Sequence, residues 1–511
     1  MNKMTLHKSV FLTSLFVTIM MIQLFSQSFD WNLGTGGNLG RNGLSKALGP
    51  LVETGGEPEL YWSGGESAPY ASYPVIEGDN LIVARRWPSN NQEEAWIINY
   101  NVYTGEEKWK INLPVNTYTN YSKVSAVKDN VVYAMRAGGQ TEAEYLYALD
   151  IETGGIIWMS EDTHGEDATE TINFNVNGDI IAADNYKLLC IDHTDGTTKW
   201  ELERNGGSSD GNAVSAYGDR GYYWEQNMTD GMIVSVCNLE TGEYLYSSEG
   251  IGTPGFQQAG LMVSPEGIIY APLLRGNPES DSLFSFTDDG SEFKKNWGYP
   301  IAFVTFGSHG VGPNGTVYTY SRDDEVVRLD PETGNVLNTS IVVSGGNGFL
   351  TPTMAIGDDG MVYLAVEDWP FYKLYIFTPD LEFLWGEEIN GLRGVALEDS
   401  VMAINGKNDI IRAYKGRFNT ATGVQQNKLE TNIPICPNPS NGIFNIRLNS
   451  LENNDAILDI INTSGKIVYS LKISSGFEAP FKIDISDQND GIYILRYFSD
   501  DKYHFQKIIK Q

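Results

Sequence analysis

The stretch YALDIETGGIIW, residues 147–158, returns along most of the chain. IINYNVYTGEEKW ends at Trp109, LLCIDHTDGTTKW at Trp200 and VSVCNLETGEYLY at Tyr246, and VVRLDPETGNVL begins at Val326. Each copy is a strand, a tight turn and a second strand. The turn glycines are Gly105, Gly154, Gly196, Gly242, Gly290 and Gly334, spaced 42 to 49 residues apart. A unit of this size cannot bury its apolar face alone, so successive copies must stack on one another.

A second signature alternates with the first. EGDNLIVA near Asp79, KDNVVYA near Asp129, NGDIIAA near Gly178 and YGDRGYY near Asp219 are hairpins. PEGIIYA near Glu266, PNGTVYT near Asn314, DDGMVYLA near Asp359 and EDSVMAI near Asp399 bring the number to eight. Their Asp-Asn, Asn-Gly, Asp-Gly and Glu-Gly pairs tolerate the left-handed backbone of short hairpins. Val, Ile and Tyr alternate on the outgoing strand. Each unit therefore supplies four antiparallel strands, which is one propeller blade. Eight hairpins predict eight blades. The last hairpin leads into NDIIRAYKG with no outer strand after it, whereas PELYWSGG precedes the first hairpin. Trp62 would then stand where Trp109, Trp158 and Trp200 stand, and pairing the two chain segments would close the ring and remove two sheet edges.

The 511 residues hold 35 basic and 66 acidic side chains, a formal charge of −31. This balance repels phosphate backbones and anionic lipid, which argues against nucleic acid as a partner. Lys3 and Lys8 precede the apolar run at 10–25, and small residues follow at Ser26 and Ser28. That is the layout of a secretory signal peptide, expected over 1–28. No later segment has the composition of a transmembrane span. Cys190, Cys237 and Cys436 form no even framework and no metal spacing. Cys190 takes the place of Ala148 in its own repeat and is expected to be a small buried side chain.

The pattern ALD..TG...W resembles the repeat of the pyrroloquinoline quinone (PQQ)-like propellers. GTGGNLGRNGLSKALGP, 34–50, resembles the lead-in of that superfamily. The resemblance covers about residues 29–416 and implies an eight-bladed propeller in which the repeat tryptophans fill the space between blades. It does not fix function, because the superfamily holds quinone-dependent dehydrogenases, outer-membrane assembly factors and binding proteins without chemistry. A polar linker is expected at 417–430. From 431 to 511, PNPSNG, NTSGKIV, DGIYIL and KIIK follow one another among short alternating strands. The alternation predicts a small β-sandwich. The motif order resembles the type A C-terminal sorting domain of the Bacteroidota type IX secretion system. That resemblance implies Sec export, then passage across the outer membrane to the medium or the cell surface, with the secretion machinery as a partner.

Candidate chemistry is sparse. The quinone enzymes imply PQQ, calcium and a catalytic carboxylate, often beside two adjacent cysteines. The chain has no such cysteine pair, and no calcium ligands can be carried over, so no catalytic, cofactor-binding or metal residue is assigned. His164 lies in SEDTHGEDATE among Glu161, Asp162, Glu166 and Asp167, a set whose spacing fits no cation cage. His309, just before a hairpin, is expected to serve its own turn. Tyr70, Tyr73, Trp87, Trp369 and Tyr372 lie outside the repeat positions and are candidates for an exposed aromatic platform, against a packing role. The expectation is an all-β, non-enzymatic, exported propeller that binds a glycan, protein or peptide; the alternative is a PQQ- and calcium-dependent dehydrogenase.

Overall fold

A computed structural model describes the chain outside residues 1–36, 51, 53–55, 87–94, 115–120, 138–144, 164–171, 206–212, 228, 253–258, 275–280, 303, 305–308, 344–350, 369–370, 399, 407, 417–434, 447–455, 463–466, 474–480, 487 and 500–501. The expected signal peptide and linker lie outside the described residues. Two compact units are present, Met1–Arg417 and Phe418–Gln511.

Every regular element among the described residues is a strand. The first unit is eight separate antiparallel sheets, each read in chain order from its inner to its outer strand. Blade 1 comprises Val75–Glu77, Asn80–Arg86, Ala95–Asn101 and Glu107–Asn112, with Tyr70–Ala71 also paired to the second strand. Blades 2 to 7 follow over 121–159, 173–203, 215–247, 262–300, 310–342 and 351–388. The second strands are almost wholly buried, as in Asn80–Arg86 and Ile180–Ala183. The outer strands alternate, as in Thr198–Glu203, because one face meets the next blade and the other meets water.

Blade 8 is built from both ends of the unit. Its strands Arg393–Glu398, Val401–Asn405 and Asp409–Lys415 are completed by Glu59–Ala68, with Trp62 opposite Ala413. The predicted closure is therefore present, and Trp62 takes the position of the other repeat tryptophans.

The blade joints explain the repeat. Each turn glycine has positive φ, +70° at Gly154. The tryptophan of the preceding blade lies flat against that glycine, so a Cβ on Gly154 would stand 2.6 Å from Trp109 Cε3. The indole N–H then donates to a carbonyl of the same turn. Trp109 donates to Ile151 O at 2.7 Å, Trp62 to Val102 O, Trp158 to His193 O, Trp200 to Leu239 O and Trp297 to Pro331 O. Five of the eight joints use this device. Between blades 4 and 5 a tyrosine replaces the tryptophan. There Asp288 accepts from Tyr222 Oη at 2.9 Å, from Arg220 at 2.8 Å and from Tyr246 Oη. Burial alone would raise the Asp288 carboxyl; the hydrogen bonds and Arg220 outweigh it and hold it below the usual range.

In the second unit, Ile435–Cys436, Ile443–Ile446 and Phe481–Asp484 form one sheet. Ile467–Ile473, Ala456–Asn462, Gly491–Ser499 and Lys502–Lys510 form another. Phe444 and Ile483 of the first share an apolar cluster with Leu458, Ile460, Leu495 and Ile508 of the second.

Candidate functional site

The ring has two chemically different ends. The hairpin between the inner and second strands of every blade, and the turn between the third and outer strands of blades 1 to 7, fall at one end. The connections between second and third strands, and from blade to blade, fall at the other.

The first end is lined, along six of its eight blades, by the chain's own N-terminal segment. The segment at 38–50 runs along the inner strands just before their hairpins, passing blades 3 to 8 in order. Leu39 O accepts from Asn173 Nδ2 and from Ala216 N, each within 2.8 Å, and Gly40 O from Val263 N at 2.7 Å. Asn42 O accepts from Val311 N, Gly43 O from Ile356 N, Ala47 O from Asp358 N and Leu48 O from Ser400 N. Arg41 donates to Ile172 O and Asn42 to Val263 O. Gly40 is required by this approach, since a Cβ there would lie 2.2 Å from Val263 O. The segment supplies the inner strands with hydrogen-bond partners that the ring does not.

The opposite end carries two polar groupings. Arg85, 1% exposed, sits at the seam between blades 1 and 8. It donates to Asn405 Oδ1 at 2.7 Å, to Glu66 O at 2.8 Å and to Asp409 O at 2.5 Å, one acceptor on each of three strands of blade 8. Burial lowers its guanidinium to about 10, so it stays charged near neutrality. Asn405 returns hydrogen bonds to Ser72 O and Ala84 O of the blade 1 side. Nearby, a cleft is lined by Tyr73, Thr353, Ala365, Glu367, Leu392, Arg393 and Gly394, with an empty volume of about 160 Å³ that includes open solvent. Arg393 pairs with Glu367 at 2.9 Å and lies 4.6 Å above the Tyr73 ring, and Thr353 Oγ1 has no hydrogen-bond partner. The walls stand too close for a water molecule to sit between them.

Asp179, Asp192 and His193 bring three ligand-type atoms within 4.8 Å of one another, the one such group among the described residues. Lys199 already occupies it, 2.8 Å from Asp179 and 2.9 Å from Asp192. The two carboxylates hold the ammonium above its ordinary range. The charge a cation would bring is thus supplied by the protein. The described donors do not fit the resident calcium that PQQ chemistry implies, and no step through the quinone follows from them.

The candidates from the sequence separate clearly. Tyr73 and Tyr372 are buried, 1% and 7% exposed, and therefore cannot form an exposed platform; Tyr70 is exposed, with Arg86 4.7 Å above its ring. Trp87, Trp369 and His164 lie outside the described residues. His309 is buried against the second strand of its own blade, bonded through Nδ1 to Thr319 Oγ1, and burial pushes it down to about 4, so it is neutral at physiological pH. Cys190 and Cys237 are free and buried together at the joint of blades 3 and 4, and burial pushes both thiols up to about 12. Arg85, Arg393 and Glu367 gave no local signal; each looks like a charged residue at a strand end.

Residues 93–249 match the PQQ-like repeat family described as outer membrane protein assembly factor BamB, and 434–511 match the secretion system C-terminal sorting domain. Fold and match together define a propeller protein of PQQ-like repeats. It carries a type IX sorting domain and is exported by that system to the cell surface or the extracellular space. No curated protein matches. Among solved structures the chain is similar to BamB from Moraxella catarrhalis, 13% identical over 67% of this chain and 80% of that one, TM-score 0.32. A europium-containing methanol dehydrogenase is 12% identical over 66% and 89%, TM-score 0.42. PorZ, a surface component of the type IX system of Porphyromonas gingivalis, is 12% identical over 89% and 75%, TM-score 0.36. The assignment of eight blades rests on the strands themselves. No helix among the described residues is long and apolar enough to cross a membrane.

Proposed function

We propose that the propeller is a non-enzymatic binding module for a glycan, protein or peptide outside the cell, and that its ligand meets the rim opposite the hairpins. The observation that carries this reading is the segment at 38–50. It lines the inner strand edges of blades 3 to 8 at the hairpin end, which favours the opposite rim as the side that meets a ligand. The repeat tryptophans are engaged in the blade joints, and Lys199 neutralises the acidic group, so neither is free for a ligand.

A binding screen of the purified propeller against surface glycans and secreted proteins tests this. Substituting rim residues such as Tyr70 should weaken the captured ligand, whereas Tyr217→Ala at the hairpin end should not. The reverse pattern would sink the rim assignment. The mature protein is also expected to show no alcohol- or sugar-dependent dye reduction after PQQ and calcium are added; stoichiometric quinone binding with turnover would install the dehydrogenase reading instead. Removing 431–511 should leave a folded propeller in the periplasm, seen by cell fractionation. Export of the truncated chain would overturn the role of the tail.

A further inference from the structure

Three of the tail motifs, distant in sequence, meet at one corner. Ser440 N donates to Ile509 O at 2.9 Å, Gln511 N to Ser440 O at 2.8 Å, and Ile509 N to Asn438 Oδ1 at 2.9 Å. The PNPSNG turn is thereby clasped to the KIIK end of strand Lys502–Lys510. Lys510 is buried, 8% exposed, although it is a lysine in a terminal motif. Its Nζ lies 2.6 Å from Asp490 of the DGIYIL motif. Its stem passes over Gly442, where a Cβ would stand 3.0 Å from Lys510 Cε and 2.6 Å from Ser486 Cα. Pro439 and Asn441, by contrast, are exposed.

The spread of exposure separates two ways of being recognised. An extended peptide would offer Lys510 as a free charge. Here the lysine side chain is covered and its ammonium is paired with the exposed Asp490 carboxylate, and the outward surface is the turn at 438–441. We propose that the secretion machinery recognises this corner as a folded unit, docking a protein surface on the exposed turn, while Lys510 and Asp490 act as positioning residues that hold the turn against the strand. The proposal rests on the sorting role of the tail. The machinery would pair its own hydrogen-bonding groups with the amide-rich turn, and the clasp would fix the turn's register in advance, lowering the ordering cost of binding.

The test uses the full chain in a host with a type IX system and reads the exported fraction together with the protease resistance of the retained protein. Asn441→Arg, on an exposed position, should cut export by roughly tenfold, the loss expected at an anchor of an interface, while the retained chain stays protease-resistant. Lys510→Asp and Asp490→Lys should each do the same. The double exchange should restore export, and Lys510→Arg should retain it. Normal export of Asn441→Arg would remove the corner as the docking surface. A folded double exchange that stays in the periplasm would show that Lys510 is read directly, and normal export of either single reversal would remove the clasp. Each of these differs from export of the chain lacking 431–511, which would instead overturn the sorting role itself.

Discussion

Replacing Arg85 with methionine is expected to open the ring at its seam. The substitution leaves the buried Asn405 Oδ1 and Asp409 O, and the part-buried Glu66 O, without the donor they now share. Orphaned buried acceptors cost about 1–3 kcal/mol each, and some carbonyls keep a second partner, so a loss of about 3 kcal/mol is expected. Lysine at the same place should fall between, because one ammonium cannot reach three acceptors in a planar fork. For a chain of this size the appropriate measurement is the unfolding half-life at fixed temperature. Protease cuts should appear first within Glu59–Ala68, the strand that the ring borrows from its other end. A variant as long-lived as the parent would show that the backbone ladder alone holds the seam.

The second large effect concerns a blade joint. Gly154→Val should destabilise the protein by about 4 kcal/mol, combining roughly 1–2 kcal/mol for a left-handed backbone with the overpacking of a filled joint. The added atoms have nowhere to go, since the Trp109 ring occupies the place of the Cβ. The specific claim is coupling. Gly154→Ala should cost markedly less in a Trp109→Ala background than in the parent, because only the backbone strain then remains. Equal costs in both backgrounds would mean that glycine is present for the turn alone.

The visibility of these features in the sequence follows their locality. The hairpin at Asp359 and the turn at Gly154 are each written within about ten residues, so period and turn chemistry displayed the blades and their number. The closure through Trp62 was legible because the ring would otherwise lack one outer strand. The contact of Trp109 with Gly154 is half legible: both recur at the period, but their meeting needs the geometry of adjacent blades. The segment at 38–50 was visible only as a glycine- and asparagine-rich lead-in. Its acceptors and donors, from Ile172 to Ser400, lie more than a hundred residues away, and its irregular backbone has no period. Arg85 was invisible for a related reason. In VARRW it resembles its half-buried neighbour Arg86 in type, and only the closure of the ring, 320 residues later, buries it against Asn405. Tyr73 and Tyr372 took the packing role rather than the platform role, a choice the sequence leaves open because burial at a blade joint leaves no mark on a single aromatic residue.

The seam also decides how the propeller bears force. The chain leaves it just beyond Lys415, and the sorting domain that the machinery engages lies further along the same chain. Any traction on the tail during passage across the outer membrane therefore enters the ring through Asp409–Lys415. That strand is not at an edge. It is flanked by Glu59–Ala68 on one side and Val401–Asn405 on the other, so traction along it is shared by two ladders of hydrogen bonds. Arg85 adds a third tether at Asp409, at the strand's far end from the pull. Rupture under load is governed by the barrier to unfolding rather than by equilibrium stability. With the tail placed behind an interior strand, a pull on it would load a closed ring rather than peel off an edge strand.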